Sequence, residues 1–117
     1  MSSAAPLARG DVLLVNFPYT DLAGRKLRPA LVVGRVAGND VIVAFLTSQV
    51  TPAPTDTDVL LASSDPEFAG AGLRVTSLIR LGVIETLHRR LVVGRIGHDG
   101  PRTQQAVADC IRRVFEL

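Results

Sequence analysis

Short runs of apolar residues recur along this chain, and polar segments rich in glycine and proline separate them. Apolar runs of this length with many branched side chains are typical of β-strands. The turn Gly38–Asp40 lies between two such runs, which indicates an antiparallel hairpin. The pattern as a whole predicts five or six strands, with candidate ranges Val12–Phe17, Pro29–Val36, Val41–Leu46, Asp58–Ala62, Val75–Ile84 and Arg90–Ile96.

The end of the chain has a helical pattern instead. Pro101 suits the first position of a helix, with Asp99 or Gly100 as its cap. Four apolar residues then recur at the spacing of one helix face: Val107, Ile111, Val114 and Phe115. A single helical turn is predicted over residues 63–69, capped by Asp65 or Ser64. Hairpin strands followed by an amphipathic helix predict an α+β fold, a small half-open antiparallel β-barrel with the helix packed across it.

The composition indicates one globular domain over residues 1–117, with residues 1–8 as a flexible tail. Hydrophobic residues make up 47% of the chain, enough for one core at this size. The single cysteine, Cys110, falls in the apolar pattern of the helix and is expected in the core. One cysteine, no membrane-length apolar stretch and no signal-peptide pattern together predict a cytoplasmic protein that does not enter a membrane.

The charge is unevenly distributed, although the net charge is only +2. Residues 56–73 carry four acidic groups and no basic one, whereas residues 74–102 carry six arginines and two acidic groups. Basic stretches that flank an acidic loop can form an anion-binding face if the fold brings them together. The alternative is an ordinary solvated surface.

Motifs of the common enzyme classes are absent. The sequence has no Walker loop, GxGxxG, HExxH, GxSxG or paired cysteines. His88 and His98 are its only histidines, and we expect them to lie at the surface or to cap a turn. No metal site and no cofactor is therefore predicted.

The candidate chemistry lies at the ends of the predicted hairpin. Arg28 precedes its first strand and Thr47 follows its second, so antiparallel pairing brings both to one end of the sheet. A guanidinium beside a hydroxyl is suited to binding phosphate. The alternative is that Arg28 pairs with Asp11 or Asp21 and that Thr47 caps a turn.

Three segments resemble the MazF/PemK toxins of type II toxin–antitoxin systems. RGDVLLVNFPYTDLAGRKLRPALVV (9–33) is similar to their opening, with Arg-Pro before an Ala-Leu-Val strand. FLTSQV (45–50) resembles their second signature, and GLRVTSLIRLGVIETLHRRLVVGRIG (72–97) their third. The order and spacing of the three segments make the resemblance specific.

This resemblance implies an SH3-like barrel of five to seven strands, a homodimer, and metal-independent cleavage of single-stranded RNA at short sequence motifs. It also implies a cognate antitoxin that occupies the RNA groove. The catalytic pair of the family falls on Arg28 and Thr47. The substrate-binding residues that we expect are Asp21, Arg25, Lys26, Ser48, Gln49, Ser77 and Arg80.

The expected mechanism uses the RNA 2′-hydroxyl as nucleophile and yields a cyclic phosphate. Arg28 would hold the phosphate and Thr47 would steady the developing charge, whereas a general-base role for an arginine is not favoured. Gly82 departs from the family pattern, which has an acidic residue there. One alternative is therefore a family member that has lost cleavage but keeps antitoxin binding. The other, a gyrase-binding toxin of CcdB type, is disfavoured because the chain has no tryptophan near its end.

Overall fold

The computed structural model describes residues 6–17, 26–38, 40–51 and 53–117, with Lys26 described by its backbone alone. A 3-10 turn, Arg89–Leu91, joins the last two strands. The elements in chain order are β1 (Asp11–Phe17), β2 (Lys26–Arg35), β3 (Asp40–Thr47), β4 (Asp58–Leu61), α1 (Phe68–Ala71), β5 (Ser77–His88), β6 (Val92–His98) and α2 (Pro101–Phe115).

The six strands form one antiparallel sheet in the order β4-β5-β3-β2-β1-β6. This confirms the predicted α+β fold with its C-terminal helix. The hydrogen-bonded ladder ends at β4 and β6, so the barrel is open between these two strands in the described part of the chain. The predicted boundaries differ most for β5, which continues to His88 because its second half pairs with β3 from Ala44 to Asp40.

The sheet is apolar on both faces, since alternate residues of its central strands enter two different clusters. Val12, Leu31 and Ala44 belong to a cluster that includes Val107 and Cys110 of α2, here called the helix-side cluster. The residues next to them on each strand form the second cluster on the opposite face: Leu13, Val15, Ala30, Val32, Val41, Val43 and Leu87. A two-faced sheet explains why the sequence shows continuous apolar runs rather than strict alternation.

Helix α2 covers the helix-side cluster. Val107 is buried, and Ile111 and Val114 pack against the cluster, as the helical spacing predicted. Phe115 is 53% exposed, so its predicted place on the buried face is wrong: α2 ends there, beyond the edge of the cluster. Cys110 is buried as expected, and burial raises the pKa of its thiol.

The structure uses one of the two predicted caps of α2, Gly100, and neither predicted cap of α1. Gly100 is the N-cap of α2 but has no side chain to bind the free amides. Glu67, just before α1, does so instead: its carboxylate accepts from Arg102 N (2.9 Å) and Thr103 N (2.8 Å). The bonds with Thr103 lower the pKa of Glu67 below its ordinary value. Asp99 is buried, and burial raises its pKa.

The short helix also differs from its prediction. It covers Phe68–Ala71 rather than 63–69, and its N-cap is Glu67, without a capping side-chain bond. Asp65 accepts a hydrogen bond from Glu67 N (2.8 Å) and thereby orders the turn before α1.

The last two residues of the predicted tail, 1–8, are attached to the fold. Leu7 is buried in the second cluster, and Ala8 N donates to Asp11 Oδ2 at 2.8 Å. Neither described helix has the length and apolar character needed to cross a membrane.

Candidate functional site

Arg28 and Thr47 lie at one end of the sheet and on one face of it. The β2–β3 register pairs Ala30 with Phe45, and continuing it by two residues on each strand sets Arg28 opposite Thr47. Because side chains alternate along a strand, both belong to the face of the second cluster, to which Ala30 contributes. The sequence prediction that these two residues converge at one sheet end is thus consistent with the strand register.

The guanidinium of Arg28 is partly desolvated and incompletely bonded. Its Nε is buried and has no hydrogen-bond partner among the described residues. Asp11, a partner considered from the sequence, is instead bonded to Arg95 at 3.0 Å. A buried donor without an acceptor is costly, and a bound anion would satisfy it.

Two aromatic rings lie on the same face. Phe17 and Phe45 have ring centroids 4.7 Å apart at an interplanar angle of 57°. Phe45 neighbours Thr47 on β3 along this face, so an apolar floor adjoins the Arg28–Thr47 pair. An apolar floor excludes water and strengthens electrostatic interactions beside it.

The hydroxyl of Thr47 accepts one hydrogen bond and can also donate one. Its Oγ1 accepts a hydrogen bond from Gln49 N at 3.1 Å, so Thr47 caps a turn, as the alternative interpretation predicted. A threonine hydroxyl carries its own proton as well. That proton can still be donated to an incoming oxygen while the turn remains intact.

A cleft of about 310 Å³ opens beside Thr47, here called the Thr47 cleft. Two predicted substrate-binding residues, Gln49 and Arg80, line it together with Thr47. The other walls come from the segment between β3 and β4 and from the strands β4 and β5. The remaining lining residues are Thr51, Ala53, Thr55, Asp58 and Leu78.

The other predicted substrate-binding residues have different positions. Ser48 is exposed next to the cleft without lining it. Ser77 is buried and does not line the cleft, and its hydroxyl donates to Val75 O at 2.9 Å. Asp21 and Arg25 lie outside the described residues, as does the side chain of Lys26.

Sequence reasoning missed Asp58 and Thr55 as site residues. The sequence pattern placed Asp58 in a strand and Thr55 in a Pro- and Thr-rich loop, and neither was expected to bind substrate. Asp58 Oδ2 accepts from both Thr55 N and Thr55 Oγ1, each at 2.9 Å. The available signal was a threonine three residues before an aspartate at the start of a strand. Such a pair is typical of a turn that side chains stabilise.

The third sequence segment contains an irregularity next to the cleft. Ile79 pairs with Leu46 and Ile84 with Ala44, so four residues of β5 stand opposite one residue of β3. Gly82 lies within this bulge, and a side chain there would make only an ordinary contact with Thr57. The backbone at Gly82 therefore has room for a larger residue.

The histidines lie where the sequence predicted. His88 accepts from Arg90 N at 3.0 Å and caps the 3-10 turn, and the side chain of His98 is 54% exposed. Within the described ranges, no group of three or more metal-ligating side chains converges.

Comparisons with known proteins point to one family. A sequence profile described as PemK-like, MazF-like toxin of type II toxin–antitoxin system matches residues 8–115. No protein of curated function matches the chain significantly.

Solved structures share the whole fold. An endoribonuclease in complex with its cognate antitoxin, from a mycobacterial species, is 25% identical with a TM-score of 0.72 over 97% of both chains. A further mycobacterial endoribonuclease is 25% identical, with a TM-score of 0.69 over 97% of this chain and 94% of its own. The Mycobacterium tuberculosis toxin MazF-mt6 shares the fold at 22% identity and a TM-score of 0.70, over 92% and 97% of the two chains.

Proposed function

This chain belongs to the PemK-like, MazF-like toxins of type II toxin–antitoxin systems, and from that premise we propose that it cleaves single-stranded RNA as an endoribonuclease. One observation carries the proposal: a partly desolvated Arg28, whose Nε has no acceptor among the described residues, shares a face and a sheet end with Thr47. Two similar mycobacterial proteins are endoribonucleases, which supports the same activity here.

Arg28 and Thr47 are the proposed catalytic residues. Arg28 binds the non-bridging oxygens of the scissile phosphate, and its Nε–H finds there the acceptor that it lacks. Thr47 donates its hydroxyl proton to an oxygen of the same phosphate. Both interactions strengthen as negative charge grows on the phosphoryl oxygens, so both favour the transition state over the bound substrate.

The RNA supplies the nucleophile. Its 2′-oxygen bonds to the adjacent phosphorus, the bond from phosphorus to the 5′-oxygen breaks, and that oxygen takes up a proton. The products are a 2′,3′-cyclic phosphate and a 5′-hydroxyl end. Arg28 stays protonated throughout because a guanidinium does not release its proton near neutral pH. The proton of the 2′-hydroxyl therefore passes to solvent.

The remaining predicted residues are proposed to bind the RNA chain. Gln49 and Arg80 do so from the Thr47 cleft, and Ser48 from its rim. Arg25 and Lys26 contact backbone phosphates, so their removal weakens binding to all sequences alike. Asp21 and Ser77 remain predictions that rest on the family resemblance.

The proposed chemistry predicts a strict need for the 2′-hydroxyl. We expect the purified chain to cut single-stranded RNA in the presence of EDTA and to leave cyclic-phosphate and 5′-hydroxyl ends. A single 2′-deoxy substitution at the cut site should abolish cleavage, because the nucleophile is then missing. Electrophoresis of end-labelled oligonucleotides measures both.

Two results would contradict this function. One is cleavage of the 2′-deoxy substrate, which requires a nucleophile from another source. The other is growth arrest by a chain that cuts no RNA, which points to the gyrase-binding alternative considered above.

We further propose that the chain forms a homodimer in the cytoplasm and binds a cognate antitoxin. One of the similar mycobacterial endoribonucleases, at 25% identity, is in complex with its cognate antitoxin. Edge strand β6 leaves Val93 59% and Ile96 36% exposed, which is apolar surface that a second copy can cover. Sedimentation at micromolar concentration should show the dimer mass. A species of monomer mass alone would exclude a stable dimer.

A further inference from the structure

We propose that the Thr47 cleft selects the base next to the scissile phosphate, and that Asp58 and Arg80 together favour guanine. The inference rests on the proposed ribonuclease function and adds a base specificity to it. Thr47 pairs with Leu78, and Arg80 lies two residues farther along β5 on the same face, opposite Asp58. The strand geometry sets the Cα atoms of Asp58 and Thr47 roughly 12 Å apart, within reach of a neighbouring nucleotide.

The carboxylate of Asp58 is held in a fixed orientation. Both of its hydrogen bonds, from Thr55 N and Thr55 Oγ1, reach Oδ2 at 2.9 Å. Oδ1 is thus an open acceptor among the described residues, and Asp58 lines the cleft. An ionised carboxylate accepts hydrogen bonds and donates none. It therefore attracts N–H groups of a base and repels phosphate.

Arg80 contributes the opposite chemistry. Its side chain is exposed and makes no ion pair or hydrogen bond with the described part of the chain, although Asp58 is its cross-strand partner. A guanidinium donates hydrogen bonds and accepts none. The cleft consequently presents an acceptor and a donor on neighbouring strands, with the apolar side chain of Leu78 beside them.

Guanine matches this pair better than the other bases. Its Watson–Crick edge carries the acceptor O6 beside two N–H donors, and arginine commonly donates to O6 of guanine. Adenine and cytosine carry one amino donor on that edge, and uracil carries one imide donor. Two donors facing the open oxygen of Asp58 therefore distinguish guanine.

The variant Asp58→Asn separates base selection from the turn that Asp58 stabilises. The amide oxygen of asparagine can accept both bonds from Thr55, so the turn is retained. The amide nitrogen then takes the place of Oδ1 and donates where the carboxylate accepted. Asp56→Asn is the matched control: it removes the same charge two residues away, at a residue that does not line the cleft.

The experiment measures single-turnover cleavage of RNA oligonucleotides that carry each of the four bases at the positions flanking the cut. The native chain should prefer guanine at one flanking position by about 10- to 100-fold. Asp58→Asn should remove most of that preference, because its rate on RNAs with guanine there falls toward its rate on RNAs with the other bases. Asp56→Asn should behave as the native chain does.

Two outcomes overturn the proposal while the ribonuclease function stands. Either the native chain cuts RNA without preferring guanine, or Asp58→Asn keeps the native preference. A native chain that cuts none of the RNAs contradicts the proposed function itself, which is a distinguishable result.

Discussion

Replacement of Arg28 by alanine is expected to lower kcat/KM for RNA cleavage by about 100- to 1,000-fold, the usual cost of removing one donor that stabilises transition-state charge. The loss should appear mainly in kcat, because the interaction with the phosphate strengthens as charge develops. The folded state should tolerate the change, since Arg28 Nε has no partner among the described residues that the substitution would leave unpaired. Steady-state cleavage assays and a thermal melt of the same preparation measure both effects.

Two further variants make this result specific. Arg28→Lys keeps the positive charge but loses the planar fork, so it should recover only a small part of the activity. Arg112→Ala removes an exposed arginine of α2 that pairs with Asp109, and it should cleave RNA at the native rate. A fully active Arg28→Ala chain would remove Arg28 from the mechanism.

Gly97→Ala is expected to destabilise the fold by about 3 kcal/mol. A Cβ atom at this position of β6 would collide with the backbone of Gly70 and Ala71, because α1 lies directly against the strand. The backbone of β6 and the backbone of α1 would have to move apart to make room for this atom. At this chain length the loss corresponds to a fall in Tm of roughly 12 °C or more. Calorimetry or circular dichroism measures it.

Gly94→Ala is the control for this prediction. Gly94 lies on the same strand, and an added Cβ there meets no atom within 4 Å. Its Tm should stay within a few degrees of the native value. Equal losses in the two variants would mean that β6 resists any side chain, and the close packing of α1 would then not be the cause.

Much of the fold could be predicted because it is encoded locally. The hairpin of β2 and β3 follows from two apolar runs around a glycine turn, and the spacing of these runs is enough to set Arg28 and Thr47 at the same end of the sheet. The turn alone does not set Arg28 opposite Thr47, because a bulge between Val32 and Gly34 shifts the pairing by one residue before Ala30 meets Phe45.

The rest of the site depends on contacts that sequence spacing does not reveal. Asp58 lies opposite Arg80 only because β4 pairs with β5, and no pattern in the sequence indicated that pairing. The side-chain acceptor at the start of α2 was missed for the same reason, since Glu67 accepts from Thr103 N from 36 residues away along the chain. Leu7 is a single apolar residue before the first predicted strand, so its place in the sequence did not indicate that it is buried. Its burial depends on the second cluster around it.

The contact of Glu67 with α2 also makes the attachment of this helix sensitive to acid. The pKa of Glu67 is lower in the folded chain than in the unfolded chain. The carboxylate of Glu67 therefore stabilises the fold fully when the pH is above the ordinary pKa of glutamate, and this stabilisation is lost as the pH falls through the lowered pKa. Protonation then removes the negative charge that faces two helix amides and weakens the hydrogen bonds that they donate to this group. At acid pH, the start of α2 and the segment that carries Glu67 should therefore open before the central strands do, because the apolar contacts of those strands carry no charge.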